Sequence, residues 1–554
     1  MERGAFRKAF CAAALICLLR WFDRPLPRHS RNTVSRATVF VGGRQVLVHR
    51  LRTLSLLPRQ GHLASRADTE AALVTTMIRN ASAAARVLEI FERHTFNDVH
   101  LSAAFNRLAK LEAGLSARVT QSKSFSDLIE EAEHLLRAGE ADERLVSTIF
   151  WSVATLHFKA PQLRKLLPAL LEMAIFLSPY FVPQGVANII WGCAKLKLSR
   201  SQMQVLLPDI TKRAVDRADR FEAQHVSNIV WSCATMQDDA PELLRIMPAM
   251  QEMIVERADD MIPQHTANIL WSCARLQDKA PALLKALPVL ADLVIRQMDR
   301  LNVQDVANIF WAIATLRERS PLMHTLPLLM ARALKVRGRM TEQNIANILW
   351  ASATLKKDAP KTMVHVQFLL GEVERKAGGF NAQGIANTVW AVGTAQVKSE
   401  TRTRVLRALQ AQALRRSSTF KPQDWATMCW GLALCGHADT DFMKEVATIL
   451  VPKAGALRFG AANLDLPQIV CAFAKLRLRH RELLAAVAAR TSPELRRINP
   501  WGLCALSWSY DTLDSEGLFV EFRRRLSKEV SRRGISAERV ESSPLGPDAW
   551  YRKQ

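Results

Sequence analysis

Tryptophan recurs along this chain at a nearly constant interval, and that interval restricts the possible folds more than any other feature. A period of roughly 40 residues is typical of solenoids, in which each repeat buries its apolar face only against its neighbours. Cys471 and Trp508 occupy the equivalent position in two later copies and Asn106 in a degenerate first copy, so we predict about eleven repeats. The main series, which keeps this interval almost without change, is Trp151, Trp191, Trp231, Trp271, Trp311, Trp350, Trp390 and Trp430.

The residues around each Trp predict helices. A well-preserved copy has the sequence PQHTANILWSCARLQ, and its leading Pro263 suits the first turn of a helix, where a missing N–H is tolerated. Further prolines follow in the same repeat, as at Pro281 and Pro288, and we expect the second of them to interrupt a long helix. Each repeat should therefore contain two or three helices. The predicted fold is all-α, an α-solenoid that forms an armadillo- or HEAT-like superhelix.

The N-terminal segment 1–66 has a different composition from the rest of the chain. It contains thirteen Lys or Arg but only Glu2 and Asp23 as acidic side chains, and an Arg-rich, acid-poor leader is typical of an organelle transit peptide. Its apolar run at 9–19 is too short to span a bilayer, and a secretory or bipartite plastid signal is the alternative interpretation. We predict a targeting segment at 1–66 that is disordered or cleaved, a solenoid at 67–515, a basic C-terminal cap at 516–554, and no membrane span in the mature chain.

The charge of the whole chain indicates a polyanionic partner. The leader accounts for +11 of the formal net charge of +24, because it has thirteen basic and two acidic side chains, and +13 remains for the rest of the chain. A clearly basic body favours nucleic acid as the ligand. The Arg-rich segment 523–539 is either a solvated face of the cap or a contact to phosphate.

One side of the Trp-containing helix is polar in every repeat. With 100° per residue, positions −7, −6, −3, +1 and +4 relative to the Trp share one arc. Gln recurs at −7 and Asn at −3, position +1 is small, and −6 and +4 vary between repeats. Amides offer donors and acceptors to base edges, and some helical-repeat proteins recognise one RNA base per repeat with two or three side chains. The candidate RNA-binding residues are Gln184, Asn188, Lys195, Gln224, His225, Asn228, Gln264, His265, Asn268, Arg275, Gln304, Asp305, Asn308, Gln343, Asn344, Asn347, Gln383 and Asn387.

Each of these columns also has a purely structural interpretation. The Asn and Gln side chains can form ladders that satisfy neighbouring backbone groups. The Trp at the border of the polar arc is expected as a core anchor buried between repeats, with stacking on bases as the alternative. Cys193, Cys233 and Cys273 fall in the apolar arc and are expected as core thiols. His225 and His265 lack a third ligand, which argues against a metal site.

Motifs of known enzyme classes are absent from the sequence. There is no Walker loop, no GxSxG, no HExxH and no carboxylate pair in a recognisable context. We therefore expect a binding protein without catalytic residues, metal or cofactor.

The repeats resemble those of a known group of organellar proteins. The segments ANIIWGCAKL, SNIVWSCATM, ANILWSCARL and ANIFWAIATL are similar to the helical repeats of organellar RAP and FAST-kinase-like proteins. They also resemble octotricopeptide and heptatricopeptide arrays and helical subunits of the kinetoplastid RNA-editing substrate-binding complex. The resemblance covers about 94–515 of the sequence. RAP proteins usually end in a small strand-bearing domain, and the sequence after Trp508 departs from that pattern, so a nuclease-like activity is not implied.

The resemblance implies a function in organellar RNA metabolism. A protein of this group binds single-stranded RNA in the mitochondrion, or alternatively the plastid, and controls its processing, stability or translation, in some cases with protein partners of an RNA-processing complex. The competing hypothesis is an armadillo-like scaffold whose Asn and Trp columns bind an extended peptide. The basic body favours RNA, because a groove for basic peptides is expected to be acidic.

Overall fold

The structure is a computed structural model that describes residues 36–41, 44–49, 66–360, 366–396, 399–437, 439–456 and 465–535. From Arg66 onward the regular elements that it describes are helices stacked along the chain, which confirms the all-α solenoid. Two strands precede them: β1 (Arg36–Val41) pairs antiparallel with β2 (Arg44–His49). This hairpin falls within the predicted targeting segment, whose other residues before Arg66 lie outside the described part of the chain.

The α-helices that the structure describes follow one another in two alternating kinds. In chain order they are α1 (Arg66–Asn80), α2 (Ala84–Arg93), α3 (Asp98–Lys110), α4 (Ala117–Thr120), α5 (Lys123–Ala138), α6 (Glu143–Leu156), α7 (Leu167–Phe176), α8 (Pro183–Leu196), α9 (Arg200–Asp216), α10 (Ala223–Met236), α11 (Met247–Glu256), α12 (Pro263–Leu276), α13 (Leu287–Gln297), α14 (Val303–Leu316), α15 (Leu326–Val336), α16 (Glu342–Thr354), α17 (Val366–Lys376), α18 (Ala382–Ala395), α19 (Glu400–Arg415), α20 (Pro422–Leu434), α21 (Thr440–Leu450), α22 (Asp465–Lys475), α23 (Arg481–Thr491), α24 (Pro500–Leu513) and α25 (Val520–Arg532).

The helix that contains the Trp, or its equivalent, is here called the first helix of its repeat. Each first helix packs against the first helix of the next repeat, so these helices form one continuous row. The second helices, such as α7, α9 and α11, pack against the first helices of their own repeats and complete the core. In the described residues the row contains α3, α6, α8, α10, α12, α14, α16, α18, α20, α22 and α24.

Proline lies at helix starts in several repeats, as the sequence predicts. Pro263 is the first residue of α12, Pro281 begins a 3-10 helix, and Pro288 lies in the first turn of α13. Other short 3-10 helices occupy corresponding connections: Glu112–Gly114, Pro161–Leu166, Ser178–Tyr180, Ala218–Arg220, Pro241–Ile246, Ala258–Asp260, Met298–Arg300, Arg317–Arg319, Met323–Thr325, Arg337–Arg339, Ala377–Gly379, Ser417–Thr419, Val451–Ala456 and Ser492–Arg497.

The expectation that the later proline interrupts the second helix is wrong at Pro208. This residue lies inside α9, which continues from Arg200 to Asp216. The repeat has Ser201 where others have a proline, and a capping box between Ser199 and Gln202 starts the helix early. Pro208 and Gln204 are both exposed, so water can satisfy the Gln204 carbonyl that lacks its N–H partner.

Small residues allow the first helices to approach one another closely. The Cys thiols at position +2 are buried here as predicted, and burial raises the pKa of the Cys193 thiol to about 12. A close approach joins α18 and α20, where a Cβ added at Gly431 would lie 2.7 Å from the backbone of Trp390. Gly393 faces Gly431 across the same contact. The first helices therefore need small residues at these contact positions.

The C-terminal helix α25 closes the core, and near its end Arg533 is turned onto the protein. Arg532 and Arg533 both pair with Glu529, and the bond from Arg532 contributes most to holding the pKa of that carboxyl at about 2. Arg533 also donates to the carbonyls of Leu495 and Ile498, at 3.2 and 2.8 Å. These contacts favour the cap interpretation for this part of the Arg-rich segment; residues 536–539 lie outside the described chain. None of the described helices is long and apolar enough to span a membrane.

Candidate nucleic-acid interface

A stripe of amide side chains runs along the row of first helices. The Gln side chains at position −7, from Gln184 to Gln423, are all exposed, and the Asn side chains at −3, from Asn188 to Asn387, are all half-buried. The two positions lie about one helical turn from each other on the same face. Because first helices pack directly on one another, the columns adjoin from repeat to repeat. We call the −7 and −3 columns, with Lys195 and Arg275, the polar stripe.

The Asn side chains at position −3 do not form a ladder of hydrogen bonds to neighbouring backbone groups, which was the structural interpretation of this column. Asn308 accepts a hydrogen bond from Gln304 at 2.9 Å, and Gln304 in turn accepts one from Asn344 at 2.9 Å. These bonds join side chains and leave backbone groups untouched. The side chains of the other members of the column have no hydrogen-bond partner within the described residues, so their amides are free to bind a ligand: Asn188, Asn228, Asn268, Asn347 and Asn387.

Three of the variable side chains at position −6, those of His225, Asp305 and Asn344, accept hydrogen bonds at the start of their own first helices. Position −6 falls in the first turn of the first helix, from which a side chain can accept the N–H of the residue that caps the helix. His225 Nδ1 accepts from the Glu222 N–H at 3.2 Å, and Asp305 accepts from the Asn302 N–H at 3.0 Å.

Asn344 follows the same pattern and accepts from the Thr341 N–H at 3.0 Å, while Asp305 and Asn344 are themselves buried. Capping accounts for the acceptor atoms of these side chains, while the Asn344 amide nitrogen also donates to Gln304 in the exposed Gln column. The sequence grouped them with the stripe because a helical projection does not show where the helix begins.

Burial also affects the protonation of the side chains at position −6. It lowers the pKa of both His225 and His265, so both imidazoles are neutral at pH 7. Burial raises the pKa of Asp305, against the opposing effect of its capping hydrogen bond. No group of three metal-ligating side chains is present among the described residues.

The Trp side chains form an aromatic wall beside the polar stripe, which we define as Trp151, Trp191, Trp231, Trp271, Trp311 and Trp350. The expectation that they are buried between repeats is wrong for these six, which pack on the core with part of each ring exposed. Neighbouring ring centroids lie 5.9 Å apart for Trp271 and Trp311, and 6.3 Å apart for Trp311 and Trp350. Only Trp390 and Trp430, next to the tight Gly393–Gly431 contact, are buried in the series.

Two cations lie on this wall. Lys195 Nζ is 5.4 Å from the Trp191 ring centroid and 5.7 Å from that of Trp231, so it bridges two repeats. The Arg275 guanidinium lies 5.4 Å from the Trp271 centroid. All three distances are within the range of cation–π attraction. Neither cation forms an ion pair within the described residues, so both remain available to an anionic ligand.

The stripe ends in a groove at the N-terminal side of the solenoid. This groove has a volume of about 610 Å³ and lies where α3, α6 and α8 meet, with Gln184 and Asn188 on one wall. Arg79, Arg107, Lys110 and Arg144 also line it. We did not predict these basic residues from the sequence. Aligning the degenerate first two copies to the Trp position would have shown that Arg144 occupies the −7 position, where later repeats have Gln.

Comparison with known proteins does not identify a family or a function for this chain. No family model and no curated protein matches this chain. Among solved structures, a chain of a homology model of the full-length AP-3 complex in an intermediate open conformation is similar, with 10% sequence identity over 88% of this chain and 86% of that chain, at a TM-score of 0.27. A likeness this weak carries no argument about function.

Proposed function

We propose that this protein binds single-stranded RNA along the polar stripe and the aromatic wall beside it. The observation that carries the proposal is the combination, on one continuous face, of free amides, partly exposed Trp rings and unpaired cations. Amides recognise base edges, aromatic rings stack on bases, and cations neutralise phosphates. An extended peptide can use the amides and the Trp rings, whereas RNA also uses the cations, which neutralise its phosphates.

The proposal extends to where and how the protein acts. The Arg-rich N-terminal sequence supports action in the mitochondrion, with the plastid as the alternative, in the processing, stability or translation of organellar RNA. We propose a binding function without catalysis, in which protein partners of an RNA-processing complex supply any chemistry. The resemblance of the ANxxW repeats to those of organellar RNA-binding proteins supports the same assignment.

The test is a binding measurement with the full chain at near-physiological salt. We expect single-stranded RNA to bind, and the double variant Gln264→Ala, Asn268→Ala to lower affinity about tenfold, because one or two hydrogen bonds to bases are lost. The matched control replaces two exposed amides on second helices, Gln204→Ala and Gln367→Ala, and should leave affinity unchanged. No affinity for single-stranded RNA, or equal losses in both variants, would contradict the proposal.

A further inference from the structure

The groove at the end of the polar stripe differs in chemistry from the stripe itself. At the stripe positions of α3 and α6 the amides are replaced by Val99 and Arg144 at −7 and by Ala103 and Thr148 at −3. The Trp position of α3 is Asn106, which has no ring on which a base can stack. The groups suited to bases are thus largely missing from these two repeats.

Basic side chains line the groove where the other repeats have amides and Trp rings. Arg107 and Lys110 follow Asn106 within the next turn of α3, and Arg144 projects from the first turn of α6. Arg79, in the last turn of α1, adds a fourth cation from the far side of the groove. Arg107 donates from Nε to the Ala81 carbonyl at 2.7 Å, which fixes its guanidinium at the groove. The side chains of Arg79, Lys110 and Arg144 make no ion pair or hydrogen bond within the described residues.

Three carboxylates share the groove but form no ion pair with these cations within the described residues. Asp142 accepts the Leu145 N–H at 2.7 Å and Asp98 accepts the Val99 N–H at 2.9 Å, so both are turned onto the starts of their own helices. Glu143 lies in the first turn of α6, where a helix N-terminus stabilises negative charge. Four cations against three carboxylates leave one net positive charge in the lining, next to the positive ends of two helices.

The groove also lies at an end of the row. Helix α1 packs against α3 on the side away from the repeats, and Arg79 from α1 closes the groove there. A strand that follows the stripe toward α3 therefore meets a cationic recess bounded by α1. A volume of about 610 Å³ accommodates a nucleotide together with its terminal phosphate.

We propose that this groove binds a terminal phosphomonoester of the single-stranded RNA that occupies the polar stripe. The inference rests on the proposed RNA-binding function and adds recognition of a strand end to it. A terminal phosphate carries more negative charge than an internal phosphodiester, and Arg and Lys bind it with charge-assisted hydrogen bonds. The groove geometry fits a phosphate at either end of the strand, and the experiment distinguishes the two.

The test compares three RNAs of one sequence and about eleven nucleotides, one per repeat, with the full chain. One RNA has hydroxyls at both ends, one has a 5′-phosphate and one has a 3′-phosphate. We expect one of the phosphorylated RNAs to bind about tenfold more tightly than the unphosphorylated one. The double variant Lys110→Gln, Arg144→Gln should remove that advantage and retain affinity for the unphosphorylated RNA. Both side chains are exposed, so circular dichroism should show an unchanged fold.

The matched control is Lys195→Gln, Arg275→Gln, which removes the same number of charges from the stripe. This variant should weaken all three RNAs alike and keep the preference for the phosphorylated end. Binding of RNA with no preference for either phosphorylated end would overturn the groove assignment while leaving the proposed function intact. Failure of all three RNAs to bind would overturn the proposed function, and this inference with it.

Discussion

Tryptophan occupies two environments in this solenoid, and they separate a structural role from a binding role. Trp430 is 5% exposed in the core, whereas Trp271 lies on the aromatic wall with Arg275 over its ring. We expect Trp430→Ala to lower the free energy of unfolding by about 3–5 kcal/mol, as for a buried large aromatic. Trp271→Ala should cost less stability, because its ring is already partly hydrated.

For RNA affinity we expect the opposite: Trp271→Ala should have the larger effect and Trp430→Ala the smaller one. Loss of a stacking ring at Trp271 should weaken binding of single-stranded RNA by about 1–3 kcal/mol. Trp430→Ala, assayed below its unfolding transition, should bind RNA nearly as the wild type does. Chemical denaturation and a binding titration on both variants measure the two effects. A larger stability loss for Trp271→Ala, without loss of RNA affinity, would return that residue to the core role that the sequence favoured.

The sequence predicted which face of the first helix each side chain lies on, but not which side chains fall in its first turn and cap it. A 100° projection put Gln264 and Asn268 on one face, as the structure has them, and put the Trp at the border of the polar arc. It could not show that Asn344 turns back to Thr341, because that depends on where the helix begins. The spacing of Thr341 and Asn344 is that of a capping box, and it was the available signal.

At the scale of elements, the packing of first helices depends on glycine where α18 meets α20. A Cβ at Gly431 would overlap the Trp390 backbone, which cannot move without shifting the helix. We expect Gly431→Ala to lower the free energy of unfolding by about 1–3 kcal/mol through overpacking. Gly371→Ala is the control: it lies in α17 with no atom within 4 Å of an added Cβ, and it should stabilise by about 0.5–1 kcal/mol. Thermal unfolding of both variants measures the difference, and a destabilised Gly371→Ala or a neutral Gly431→Ala would contradict this packing.

Helix starts were predictable from proline, but helix continuity was not. Pro263 and Pro288 lie in first turns as expected, whereas Pro208 lies within α9. One proline restricts a helix only locally, and the capping box at Ser199 together with the exposure of Gln204 decided the outcome there. The repeat period determined the solenoid, because every repeat needs neighbours to bury its apolar face. The N-terminal groove was missed because the copy in α3 has lost the Trp that marks the register and the copy in α6 has lost the flanking amides.

At the scale of the whole molecule, the stripe contains two kinds of group that should respond differently to salt. For single strands, the logarithm of the affinity falls linearly with the logarithm of salt concentration, by about 0.7 for each phosphate that a cation neutralises. Lys195→Gln with Arg275→Gln removes two cations, so the slope should become shallower by about 1.4. Asn228→Ala with Asn268→Ala removes two free amides, which release no counterions.

The amide variant should therefore bind more weakly at every salt concentration with an unchanged slope. Titrations of one RNA with the full chain and both double variants at four or more salt concentrations measure the slopes, and the N-terminal basic residues contribute equally to all three proteins. Parallel lines for the wild type and the cation variant would mean that Lys195 and Arg275 do not contact phosphate. A flattened line for the amide variant would mean that the Asn column affects binding through charge, which neutral amides on this face cannot explain.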